Sequence, residues 1–376
     1  MNWKIPLFKT CWGEGDVNAV AEVIRRGTFW ACGPEIDEFE SRLAEYVGSR
    51  FAVTFNSGTS GLHSALLAYD IAEGEVIVPS FTFIATPNAV VLAGGRPVFA
   101  DIEGETYGLD VEDVVERITP KTKAIIPVHY GGCPCRDIKA LKEIAEDHKI
   151  LLIEDAAESL GARIKDEKVG TFGDSAMFSL CQNKMISTGE GGFVVTESEK
   201  TYNRLKVIRS QGRFEDGKDY FSTVGEMEYI QVGYNYRMPT MLAALGLSQL
   251  KRIQDNVDKR RKKAEYYTKN LQKIGGIITP KPPNGYHHVY QMYTIQLKNP
   301  EMRDRLQKHL TERGIMSRVY FDPIHTKRLY QRYFKVKTGR LPVTEEVSTK
   351  VLTLPIYPDL KQANLKYITK AIREFG

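Results

Sequence analysis

Between Phe51 and Thr196 the chain alternates short, continuously apolar runs with longer amphipathic stretches, and this alternation limits the fold more than any single residue does. The apolar runs fall at Phe51 to Phe55, Val76 to Val78, Val98 to Ala100, Ala124 to Val128, Ile150 to Ile153, Ala176 to Phe178 and Phe193 to Val195. Unbroken apolarity is expected of strands buried on both faces. Strands separated by helices imply a mainly parallel sheet with helices on either side, an α/β architecture. No internal repeat or low-complexity segment interrupts the pattern.

A chain of 376 residues is longer than one hydrophobic core usually serves, and the pattern changes after residue 250. The expected division is a large unit over residues 1–250, including N-terminal helices, and a smaller α+β unit over 251–376. Asp16 to Arg26 reads as a helix with Asp16 as N-cap, and Glu35 to Tyr46 as a second that ends at Gly48. The loop GTFWACGP from Gly27 lies between them and carries Phe29 and Trp30. One long helix is expected from Thr240 towards Leu271. After the turn Lys281 to Gly285, the expectation is a strand (Tyr290 to Leu297), a helix (Pro300 to Arg313), a strand (Met316 to Tyr320) and two further helices.

The chain is 42% hydrophobic and 26% charged, which excludes long disordered stretches. Its formal net charge of +5 is spread among acidic residues. The one dense basic run, Lys259 to Lys263, follows Asp255 and Asp258 in a helical pattern and reads as a solvated face, so no nucleic-acid partner is expected. No apolar run reaches the roughly 18 residues of a membrane span, and the N-terminal MNWKIPLFKTCW lacks the layout of a secretory signal. A cytoplasmic protein is the expectation. Five cysteines read as reduced thiols. Cys133 and Cys135, without a second ligand pair, do not make a metal site.

Within this frame the segment Ser179 to Gly192, SLCQNKMISTGEGG, places Lys184 in a Ser/Thr/Gly-rich loop between two buried strands. Most lysines are solvated. Desolvation in such a loop would free the amine as a nucleophile for a carbonyl, the chemistry of a Schiff-base lysine. A pyridoxal 5′-phosphate (PLP) site further needs a phosphate cradle, a carboxylate for the pyridine nitrogen and a flat apolar group against the ring. Asn56 to Ser60, between a strand and the helical run Leu62 to Tyr69, would set Gly58 and Thr59 at a helix N-terminus, a ready anion site. Asp155 ends the apolar run Ile150 to Ile153 at the sheet edge where ligands bind; taken alone it could equally cap the following helix.

Five stretches carry a resemblance: FNSGTSGLHSAL from Phe55, VPSFTFIATPNAV from Val78, IEDAAESLGA from Ile153, FSLCQNKMISTGEGG from Phe178 and YNYRMPTMLAALGLSQL from Tyr234. In this order and spacing the chain resembles the DegT/DnrJ/EryC1/StrS family of PLP-dependent nucleotide-sugar aminotransferases. The resemblance implies the aspartate-aminotransferase-like architecture (PLP fold type I), with a large mainly parallel sheet domain and a smaller α+β C-terminal domain.

The same resemblance implies roles. Lys184 would carry the cofactor and move the proton, Asp155 would face the ring nitrogen, Phe83 would stack on the ring, and Ser179 would help hold the phosphate. Glu158 stands where many members have Gln or His, which puts the pH optimum in doubt. Asn235 would reach the phosphate of a neighbouring subunit, so a homodimer with shared active sites is implied. His325, Phe29 and Trp30 become candidates for the sugar pocket. The implied substrates are L-glutamate, which leaves as 2-oxoglutarate, and a nucleotide-linked keto-deoxyhexose; the short Asp322-Pro323-Ile324-His325 segment leans towards amination at C4. A 3-keto sugar aminotransferase, a dehydratase of the same fold and a non-catalytic binding protein remain alternatives, although dehydratases carry histidine in place of Lys184. An NAD-dependent oxidoreductase would need GxGxxG spacing, which NSGTSG lacks.

Overall fold

A computed structural model describes residues 3–214, 228–334 and 339–375. Within them the helices are α1 (Glu14–Arg26), α2 (Pro34–Val47), α3 (Gly58–Ala68), α4 (Ala85–Leu92), α5 (Val111–Arg117), α6 (Ile138–His148), α7 (Glu199–Arg209), α8 (Thr240–Leu250), α9 (Ile253–Leu271), α10 (Pro300–Glu312), α11 (Arg328–Phe334), α12 (Pro342–Lys350) and α13 (Gln362–Phe375). The strands of the first half are β1 (Phe51–Phe55), β2 (Glu75–Pro79), β3 (Arg96–Ala100), β4 (Thr122–Ile125), β5 (Leu151–Asp155), the hairpin β6 (Arg163–Ile164) and β7 (Glu167–Lys168), β8 (Ser175–Ser179) and β9 (Gly192–Thr196). Those of the second half are β10 (Ile277–Ile278), β11 (Tyr286–His287), β12 (Tyr293–Leu297) and β13 (Val351–Leu354).

The main sheet has seven strands in the order β1-β9-β8-β5-β4-β2-β3. Only β9 runs antiparallel to its neighbours; the other pairs are parallel. Each of the seven expected runs forms one of these strands. β4 stops at Ile125, short of the expected Val128, because Pro127 has no N–H for the ladder and pairing resumes only as a single bridge from Val128 to Asp155. Along β8 successive side chains enter opposite cores, as a strand buried on both faces requires. Ala176 and Phe178 pack with Phe39 and Leu43 of α2, and Met177 packs with Leu62 and Leu66 of α3.

The second unit is an antiparallel sheet β10-β12-β13. It is covered by Tyr267 of α9, Leu306 and Leu310 of α10, and Leu365 and Ile368 of α13. Ile5 belongs to this core, whereas Ile324, Tyr330 and Leu341 pack in the core of the main sheet. The two packing units therefore exchange chain on either side of residue 250.

Several expectations are corrected. The long helix is two: Arg252 leaves helical backbone at φ −113°, ψ 6°, and its guanidinium reaches Asp16 at 2.5 Å. Asp16 is not the N-cap of α1; Gly13 is, and Asp16 accepts its N–H at 3.0 Å three residues into the motif. Met316 to Tyr320 does not form a strand, since only Arg318 bridges to Thr353. The third strand of that sheet is β13, and among the described residues three α-helices rather than two follow residue 320, after a short 3-10 turn at Ile324–Thr326. Among the described residues no helix is long and apolar enough to cross a membrane, and no cluster of three or more metal-binding side chains occurs.

Candidate active site

β5 and β8 end, and α3 begins, on one wall of a cavity of about 530 Å³, at the carboxyl edge of the sheet where α/β proteins place ligands. Ser57 caps α3, accepting from Ser60 N at 3.0 Å while Ser60 Oγ accepts from Ser57 N at 3.1 Å. The first-turn amides of a helix have no partner within it, so Gly58 and Thr59 bring the positive end of α3 to the cavity. Two glycines make this possible by close approach. A Cβ on Gly192 would lie 2.5 Å from Gly58 N, and one on Gly58 would lie 3.0 Å from Met177 Sδ and 3.2 Å from Ser179 Cβ.

Asp155, the last residue of β5, is buried. Its Oδ2 accepts from Thr86 Oγ1 at 2.7 Å and its Oδ1 from Ala157 N at 3.2 Å. Burial pushes its carboxyl above the ordinary carboxylate range, against the lowering effects of Thr86, Ala157 and Lys184. Its neighbour Glu154 points into the opposite core, where it accepts from the N–H groups of Gly170, Phe172 and Gly173 at 2.9, 2.8 and 2.9 Å and from His129 Nε2 at 2.9 Å. Four donors satisfy that buried carboxylate, and they fix the strand end from which Asp155 projects.

Lys184 Nζ stands 3.4 Å from Glu158 Oε1. The other oxygen of Glu158 accepts from Gly131 N at 2.8 Å, so the carboxylate is held from one side and meets the ammonium on the other. Ser179, at the end of β8, also lines the cavity and accepts from Cys181 N at 3.3 Å. Phe83 lines it and is 61% exposed, whereas Phe81 is fully buried. Residues 80–82 are bends rather than strand, so equal parity does not give the two rings equal surroundings.

The remaining predicted residues lie elsewhere. His325 is fully buried and outside the cavity wall. Its Nδ1 lies 2.7 Å from Ser80 Oγ and its Nε2 3.0 Å from Glu345 Oε1. Both ring nitrogens therefore have a polar partner within hydrogen-bond distance. As placed, it ties the segment after Phe321 to the end of β2 and does not face a sugar pocket of this chain. Phe29 and Trp30 are half-exposed and away from the cavity, with Trp30 Nε1 donating to Val23 O at 3.1 Å. Asn235 is exposed; its carbonyl accepts from Asn56 Nδ2 at 3.4 Å, beside the loop that leads into α3.

Sequence reasoning missed Thr86, Gly131, Gln291 and Arg318. Thr86 lies on the first turn of α4, with Oγ1 3.0 Å from Thr82 Oγ1, and only the four-residue spacing hinted at a shared face. Arg318 lines the cavity with its guanidinium 5.1 Å from the Tyr320 ring centroid. Among the described residues no carboxylate pairs with it. That cation facing an open cavity is a place for an anion.

These residues fit PLP. A carboxyl raised by burial, with only two neutral donors, is where a ring N–H⁺ restores the charged form. The α3 amides suit the phosphate, Phe83 offers a face, and Lys184 offers the amine. Comparison with known proteins agrees. The model of the DegT/DnrJ/EryC1/StrS aminotransferase family matches residues 10–373. The chain is 38% identical over 372 residues to GDP-perosamine synthase of Escherichia coli O157:H7, covering 99% of this chain and 98% of that protein. It is 34% identical over 383 residues to UDP-4-amino-4-deoxy-L-arabinose–oxoglutarate aminotransferase of Shewanella sediminis, covering 98% and 97%. Helicobacter pylori PseC, an aminotransferase involved in the biosynthesis of pseudoaminic acid, superposes with a TM-score of 0.90 at 28% identity, covering 99% of this chain and 98% of that one. The chain therefore belongs to the DegT/DnrJ/EryC1/StrS aminotransferase family and is a PLP-dependent aminotransferase with the aspartate-aminotransferase-like fold.

Proposed function

We propose that the protein moves the amino group of L-glutamate to the keto carbon, by preference C4, of a nucleotide-linked keto-deoxyhexose, in cytoplasmic amino-sugar biosynthesis. The observation that carries the reading is the convergence of Lys184, Asp155, Glu158 and the start of α3 on one cavity. When bound, PLP supplies the carbonyl and the electron sink for amino transfer. Lys184 Nζ supplies the amine that attaches it, and then takes and returns the proton that moves during transfer. Asp155 keeps the ring nitrogen charged, the amides of Gly58 and Thr59 and the Ser179 hydroxyl hold the phosphate, and Phe83 covers one ring face. Glu158, fixed by Gly131 N–H, orients the ammonium of Lys184. Arg318 takes a carboxylate of the donor, and Tyr320, Phe321 and Met292 keep water from the cavity.

Amination at C4 and the use of glutamate draw support from the relative named for a 4-amino-4-deoxy sugar and oxoglutarate. The active form is a homodimer. Asn235, Phe29 and Trp30, exposed and away from this chain's own cavity, face the site of the second copy, where Asn235 reaches the phosphate. A panel of 4-keto and 3-keto sugars linked to dTDP, UDP or GDP, with glutamate as donor, tests the function. Formation of 2-oxoglutarate and a product aminated at C4 by NMR is expected. An amine at C3 would overturn the regiochemistry, and no turnover across the panel would overturn the activity. Sedimentation at assay concentration should show a dimer; a competent monomer would refute the shared site.

A further inference from the structure

The peptide carbonyls on either side of Lys184 are both held by side chains that trace back to α9. Asn256 Nδ2 donates to Met185 O at 3.3 Å. Gln291 Nε2 donates to Asn183 O at 2.6 Å. This fixes the orientation of the Gln291 amide, because its oxygen could not sit that close to a carbonyl. Gln291 is placed in turn by Arg260, one helical turn beyond Asn256, whose Nη1 donates to the carbonyls of Tyr290, Gln291 and Ile356 at 3.2, 3.2 and 3.1 Å. All three side chains are at least nine-tenths buried.

The arrangement is costly by ordinary measures. Gln291 Oε1 and Arg260 Nε are buried with no hydrogen-bond partner. Arg260 has no carboxylate among the described residues, and complete burial pulls its guanidinium down to about 10. Unsatisfied buried polar atoms are destabilising, so plain stability would favour apolar residues here. What the three side chains secure is the backbone at 183 and 185, and hence the root of a long side chain that otherwise samples many rotamers. A misplacement of about 1 Å at a reacting atom can cost on the order of a hundredfold in rate.

We propose that Asn256, Arg260 and Gln291 are positioning residues that set where Lys184 Nζ stands, linking the helix between the two packing units to the amine. The inference rests on Lys184 being the residue that carries PLP. It is tested with Gln291→Met and Asn256→Leu, which keep volume and remove the donor, and with Gln291→His, which restores a ring N–H. Three quantities are read. The first is the acetylation rate of Lys184 in the cofactor-free protein, mapped by mass spectrometry. The second is the visible circular dichroism of the PLP-loaded protein. The third is kcat and KM for glutamate in the half-reaction. The two donor-less variants should change the Lys184 acetylation rate severalfold, diminish the dichroism, and lower kcat roughly tenfold to a hundredfold with KM within about twofold, while Gln291→His recovers most of each. Variants that lose thermal stability but keep wild-type Lys184 reactivity, dichroism and kcat would overturn the proposal and leave a purely structural tie. Borohydride reduction of the loaded wild type that tags a lysine other than Lys184 would overturn the underlying reading itself, and the positioning role with it.

Discussion

Asp155 shows how one residue can be unfavourable for the fold and useful to the site. Burial holds its carboxyl above the ordinary carboxylate range, so the folded chain binds that proton more tightly than the unfolded chain does. The stability this proton contributes is present below the ordinary carboxylate value and is lost as pH rises from there through the raised folded value. Asp155→Asn removes the buried charge and can still serve both partners, accepting from Ala157 N and donating to Thr86. The cofactor-free variant should melt at or above the wild-type temperature near pH 7, while kcat falls on the order of a hundredfold or more for want of a charge opposite the ring nitrogen. Calorimetry and half-reaction kinetics on one preparation check both signs; a large loss of stability would mean that Asp155 is chiefly structural. The placement of Asp155 and Lys184 was legible because an apolar strand that ends in a carboxylate, and a lysine between two buried strands, are local patterns. Arg318 was not legible. It sits in a stretch that reads as strand, and only the fold turns it towards the cavity.

At the scale of elements, the strands of the main sheet could be read from continuous apolarity, because each is covered on both faces and little else determines it. The break between α8 and α9 could not. Leu245, Leu250, Ile253 and Val257 keep a helical period across it, and the contact that accompanies the bend, Arg252 to Asp16, spans more than two hundred residues. The tie made by His325 was not legible for a related reason, since its partners Ser80 and Glu345 belong to separate elements. Burial alone would raise the Glu345 carboxyl, but the hydrogen bonds from His325 and Gly339 N outweigh it and leave it below its usual value. A lowered folded value means stability that is present at neutral pH and is lost as pH falls through the carboxylate range. His325→Leu should lower stability by roughly 2–4 kcal/mol and flatten that acid dependence, as pH-resolved denaturant melts would show. Wild-type stability at all pH values would remove the tie assigned to it.

For the whole molecule, the division of labour follows from where the chain crosses itself. The sheet edge supplies Asp155, Ser179 and the start of α3, the Lys184 loop supplies the amine, and the second unit supplies Arg318, Tyr320 and the Gln291 segment that closes the cavity. A cavity assembled from both units explains why the alternating pattern of the first half was enough to anticipate a mainly parallel sheet, and the five motifs a PLP fold, but not the residues that the second unit brings to the cavity. The central claim is that this assembly exists to hold PLP on Lys184. Purified protein incubated with PLP, reduced with borohydride and digested for peptide mass spectrometry tests it most directly. The account predicts a yellow protein whose reduced adduct maps to the peptide containing Lys184 and is absent in Lys184→Ala. An adduct on a different lysine, or none after incubation, would contradict it.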